Sequence, residues 1–94
     1  MRLPRQFFGL ELGLWVTDEL RQSLPLNFTL RACAEHLITL KGVTLSDYEL
    51  GLFLKRLRDT LTMLIGRELV SSVVVDVPNK PVKRTLYTNL THAL

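Results

Sequence analysis

Residues 29–64 read TLRACAEHLITLKGVTLSDYELGLFLKRLRDTLTML, and their periodicity decides the fold. The second half of this stretch marks its own start. Ser46 can cap a helix and Glu49, three residues on, can reach back to the Ser46 amide, which makes Ser46-Asp47-Tyr48-Glu49 a capping box. Asp47 and Glu49 also place negative charge at the positive end of the helix dipole. Leu50, Phe53, Leu54, Leu57, Leu61, Leu64 and Ile65 then recur at the spacing of one helical face. Tyr48, Gly51, Leu52, Lys55, Asp59 and Thr62 fall on the opposite face. The first half predicts a helix capped by Thr29, with Leu30, Cys33, Ala34, Leu37 and Ile38 on its apolar side and Gly42 as a left-handed C-cap.

Upstream, Leu12, Val16, Leu20 and Leu24 sit four apart, while Asp18, Glu19, Arg21 and Gln22 face away. A helix from about Phe7 or Glu11 to Leu24 is expected, stopped by Pro25. Its beginning is ambiguous, because Phe7 to Val16 also alternates as a strand would. Leu26 to Phe28 has room for a three-residue strand. Downstream, Leu69 to Val77 is β-branched, Pro78-Asn79-Lys80-Pro81 is a turn signal, and Val82 to Thr88 alternates as a return strand. The expected fold class is therefore mainly α with a C-terminal β-hairpin. Residues 1–6 and 90–94 are expected to be flexible ends of a single domain spanning 1–94.

At 94 residues, with 47% hydrophobic and 22% charged, the chain has the size and composition of one globular domain. Its single cysteine, Cys33, excludes an internal disulfide framework, fits a reducing compartment and reads as a buried, inert thiol. No apolar run is long enough for a membrane span, and the N-terminal stretch lacks a cleavage site, so a cytoplasmic location is expected. The net charge of +3 and pI near 9.4 permit a polyanionic partner.

Helix, short strand, helix, turn, helix, hairpin is the element order of the winged helix-turn-helix domain, and several residues carry the resemblance. Phe28 to Leu37 resembles that family's opening helix. Ser46 to Leu57, ending Leu54-Lys55-Arg56-Leu57, resembles its recognition helix. Glu68-Leu69-Val70 resembles its first wing strand. The similarity spans roughly Glu11 to Thr88. This chain departs from the family in helix length: Gly66 comes nine residues after Leu57, so the recognition helix is more than a turn longer.

The resemblance implies sequence-specific binding of double-stranded DNA by a small transcriptional regulator, with helix 46–65 in the major groove and a basic wing at 78–84 on the backbone. Tyr48, Gly51 and Lys55 would face the groove. Gly51 permits close approach, and Thr44, Ser46 and Tyr48 offer hydroxyls. Arg31 would meet a phosphate, and Lys80, Lys83 and Arg84 would follow the backbone from the wing. The bland reading of the same residues is solvation: Lys55, Arg56 and Arg58 pairing with Asp59 or Glu49, and basic hairpin residues guarding an edge strand. Asp47, Glu49 and Asp59 count against DNA because they repel phosphate.

A second class of reading is a winged-helix interaction or dimerisation module without DNA binding, using Leu52, Met63 and Trp15 as an exposed apolar patch. A homodimer is expected on either reading, through the N-terminal segment or the end of the long helix near Met63. No cofactor, metal set, small-molecule site or catalytic constellation is legible. His36 reads as a solvent-facing helical residue, and neither histidine has a partner at ligand spacing.

Overall fold

The computed structural model describes residues 3–93. Its elements are α1 (Gly9–Gln22), β1 (Asn27–Phe28), α2 (Leu30–Lys41), α3 (Asp47–Gly66), β2 (Val70–Asp76) and β3 (Lys83–Asn89), with short 3-10 turns at Arg5–Phe7 and Leu90–Ala93. Three helices, a short strand and a C-terminal hairpin give a winged-helix-like fold. The antiparallel sheet has the order β1-β3-β2.

Local chemistry explains the helix ends. Thr29 Oγ1 accepts from the Ala32 amide at 3.1 Å and starts α2. Gly42, at φ 65°, ends it, its amide donating to the Ile38 carbonyl at 3.0 Å. The capping box of α3 is complete: the Glu49 amide donates to Ser46 Oγ at 3.2 Å, and the Ser46 amide to Glu49 Oε1 at 2.9 Å. The long helix ends in a Schellman motif, with the Leu69 amide on the Leu64 carbonyl (3.1 Å) and the Glu68 amide on the Ile65 carbonyl (3.0 Å). The left-handed residue there is Glu68, at φ 62°; Gly66 stays helical.

The helical alternative for Phe7 to Val16 prevails, starting at Gly9. α1 ends two residues short of the expected Leu24. Pro25 disfavours helical backbone at the residue before it, so Leu24 leaves the helix and buries its side chain from the loop. Arg5–Phe7 forms a 3-10 turn that buries Phe7 against Trp15 and Phe53, with ring centroids 5.4 and 4.7 Å away. At the other end, buried Asn89 donates from Nδ2 to the Leu20 and Leu24 carbonyls, at 2.6 and 3.2 Å, and so ties the end of α1 to the sheet. Residues 1, 2 and 94 lie outside the described residues.

The core lies where the periodicity put it. Leu12, Val16 and Leu20 of α1, Cys33, Ala34 and Leu37 of α2, and Phe53, Leu57, Leu61 and Leu64 of α3 are buried together. Phe28 and Tyr87, opposite each other in β1 and β3, stack at 5.7 Å and close the core against the sheet. The hairpin turns through Val77-Pro78-Asn79-Lys80, with the Lys80 amide on the Val77 carbonyl at 3.2 Å and Asn79 at φ 63°. Proline followed by a left-handed residue is the signature of a type II turn.

Candidate nucleic-acid interface

Burying Phe53, Leu57, Leu61 and Leu64 forces the other side of α3 outward, and that side is the candidate surface. Tyr48 is 76% exposed, and Gly51 and Lys55 lie open beside it. A Cβ added at Gly51 would meet nothing within 4 Å, so space around the helix is unfilled there. Thr44 and Ser46 are exposed just ahead of α3. The Ser46 hydroxyl already accepts from the helix, leaving its own proton to offer. Leu52, expected on the outward face, is half-buried, and Trp15 is likewise half-buried beneath Lys41 Nζ at 5.3 Å.

Where α2 begins, α3 passes and β3 returns, the three elements enclose a shallow groove of about 370 Å³. Arg31, Arg58 and Arg84 line it, over a floor that includes Leu54 and Tyr87. Burial pushes the Tyr87 phenol up, with the positive charge of Arg58 acting against that shift. Among the described residues the carboxylates within 4.0 Å of a basic side-chain nitrogen are Glu19, facing the His36 ring at 3.7 Å, and Asp76, facing Lys83 at 3.8 Å, so the three guanidiniums have no carboxylate partner. Glu35 lies at the Arg31–Arg84 end of this region without pairing.

The predicted residues therefore divide into groups. Tyr48, Gly51 and Lys55 share one strip, and Arg31 and Arg84 meet in the groove. Lys80 and Lys83 sit apart at the hairpin tip, where Lys83 Nζ is 3.8 Å from Asp76 Oδ1 with both side chains exposed. Such a pair contributes little to stability and is readily exchanged for another partner. In the sequence alone Arg58 reads only as a solvating charge. Its position seven residues after Gly51 was the available signal, but only the approach of β3 to α2 gives that position meaning. The pairing expected of Lys55, Arg56 and Arg58 with Asp59 or Glu49 does not form. Arg56 instead lies 4.4 Å from the centre of the Phe8 ring, and Glu49 is held in its capping box.

Two other groups of polar residues bear on chemistry. Ser23 Oγ is 2.7 Å from His36 Nε2 and also donates to the Glu19 carboxylate. With its proton committed to Glu19, Ser23 accepts from the ring, and the imidazole has no hydroxyl proton to take. His36 is thus tied between α1 and α2, not solvent-facing. Cys33 is fully buried, and burial pushes its thiol up to about 12, which keeps it protonated and unreactive. No group of three or more His, Cys, Asp or Glu among the described residues is arranged to hold a metal ion. No described helix is long and apolar enough to cross a membrane.

Comparison of the chain with protein-family models, curated proteins and solved structures gave no match.

Proposed function

We propose that this chain binds double-stranded DNA as a small transcriptional regulator, with α3 in the major groove and the arginine groove on the adjacent backbone. The observation that carries this reading is the convergence of Arg31, Arg58 and Arg84, unpaired, beside an open helical strip with a glycine at its centre. Three like charges gathered with only Glu35 near them repel, and a polyanion relieves that repulsion. Guanidinium groups suit phosphate because their donors match its oxygens in pairs. Of the negative charges near α3, Asp47 and Asp59 stay exposed and count against phosphate, whereas Glu49 weighs less. The Glu49 carboxylate is turned back onto the helix end, where it accepts from the Ser46 amide.

The test is titration of random duplex DNA at several salt concentrations, followed by selection of the bound sequences. Affinity is expected to fall steeply with salt. Arg31→Ala, Arg58→Ala and Arg84→Ala should each flatten the slope by about one unit per lost phosphate contact. A chain with no salt-sensitive retention on DNA even at low ionic strength would sink the proposal. The reading as a protein-interaction module would then lead, favoured by the exposure of Leu10 (74%), Leu14 (58%) and Met63 (40%) on α1 and α3.

A further inference from the structure

The outer strand of the hairpin is an unguarded sheet edge. β2 pairs with β3 on one side only, because the sheet order places it last. The register sets which of its backbone groups are free. Val77 donates to the Val82 carbonyl at 3.2 Å, and Leu90 donates to the Leu69 carbonyl at 3.1 Å. Both pairs continue the β2–β3 register, so the odd-numbered residues of β2 turn their amides and carbonyls toward β3. Ser72, Val74 and Asp76 turn theirs to the open edge. Natural edge strands are usually protected by lysine, proline or a bulge. The far flank of β3 carries Lys83 and Arg84, but β2 carries no basic residue, no proline and only Asp76 at its end. Its valines are uncovered: Val73 is 52% exposed, Val74 61% and Val75 36%.

We propose that β2 is a self-association surface that pairs antiparallel with β2 of a second copy, centred on Val74. The choice of partner follows from self-complementarity. In this register Val74 opposes Val74 of the second copy, and their backbones exchange two hydrogen bonds. Ser72 and Asp76 oppose each other across the two-fold axis, so hydroxyl meets carboxylate and each outward amide meets a carbonyl. On the other face, Val73 opposes Val75 in both directions. Moving the axis to Val73 would instead set Asp76 against Val70, which is buried and apolar. Pairing through β3 would gather Lys83 and Arg84 from both copies, and like charges across strands destabilise. The β2 axis stands perpendicular to the sheet. Both copies then present their helices on the same side of one continuous sheet. The strand pairing itself does not depend on DNA binding.

The experiment is sedimentation without DNA, from roughly ten to several hundred micromolar, the range in which a weak dimer is populated. It is paired with amide hydrogen exchange at both extremes. The parent should dimerise, and Ser72, Val74 and Asp76 should gain protection with concentration, whereas Val73 and Val75 should be protected throughout. Val74→Lys should raise the dissociation constant about tenfold or more, because two ammonium groups would face each other on the axis. Leu14→Lys, on the exposed face of α1, should leave it unchanged; circular dichroism checks that both variants fold. A parent that stays monomeric throughout overturns the proposal. So does a dimer that Leu14→Lys breaks and Val74→Lys does not, since that would place the contact on the α1–Met63 face.

Discussion

Single residues at the ends of α3 show what local sequence can and cannot announce. Ser46 and Glu49 were legible because a capping box is a short-range pattern with a physical cause. Glu68 was not, because nothing in a glutamate signals a left-handed backbone. It occupies that region because the chain must turn from α3 into β2 within the three residues Arg67 to Leu69, with Leu64 and Val70 both buried. A non-glycine residue there is strained, so Glu68→Gly should stabilise the fold by about 1 kcal/mol, measured by urea unfolding. Gly66→Ala should also stabilise, by about the same amount, since Gly66 is helical with open space around it. Equal destabilisation by both changes would contradict this account of the turn. Glu49 gives a pH dependence. The hydrogen bond that its carboxyl accepts from the Ser46 amide is the main cause that holds it below the ordinary value of 4.5. The unfolded chain therefore takes up this proton more readily than the folded one, and the cap's charged contribution is present above pH 4.5. It is lost as pH falls through the lower, folded value. Glu49→Gln should remove that part of the acid sensitivity, seen as a flatter dependence of melting temperature on pH as it falls from 4.5 through the folded value.

At the scale of elements, periodicity located the three helices and the hairpin, and the misjudged ends have separate causes. α1 stopped early because Pro25 acts on the residue before it, a restriction stronger than the four-residue spacing that drew Leu24 in. Its side chain was correctly assigned to the core, but from a loop. The Leu90–Ala93 turn has no periodic signal in the sequence, and Asn89 just before it reaches Leu20 and Leu24, contacts 69 and 65 residues away in sequence. The strip on α3 was legible from the helical wheel, whereas the arginine groove depends on three elements meeting and was only half seen. Gly51 tests the strip as a working surface. Nothing stands within 4 Å of its missing side chain, so Gly51→Ala should stabilise α3 by up to about 1 kcal/mol. Gly51→Leu should fold equally well and yet bind duplex DNA more weakly, because its side chain would hold the helix off the groove. Thermal melts and a binding titration on the same two variants separate these effects. If Gly51→Leu binds as the parent does, this strip is not the contact face.

The whole molecule carries a net charge of +3, but that figure understates how unevenly the charge is placed. Asp76 has Lys83 beside it and Glu19 faces the His36 ring, whereas Arg31, Arg58 and Arg84 gather with no paired carboxylate among the described residues. All three are exposed, so replacing one should change stability by no more than about 0.5 kcal/mol. A ligand that binds only the folded chain stabilises it by mass action, by about 2.7 kcal/mol at a hundredfold excess over its dissociation constant. For a domain of this size that corresponds to a rise in melting temperature of roughly 10 °C or more. Heparin, a soluble polyanion, is the probe, and the fluorescence of Trp15, the sole tryptophan, reports unfolding. Heparin should raise the melting temperature at low salt, and sodium chloride should progressively cancel the rise. Arg58→Gln should melt like the parent alone but gain less from heparin, and the triple change at Arg31, Arg58 and Arg84 should gain least. A triple variant that responds to heparin as fully as the parent would show that the groove is not where polyanions bind, and the exposed lysines of the hairpin tip would be the next site to remove.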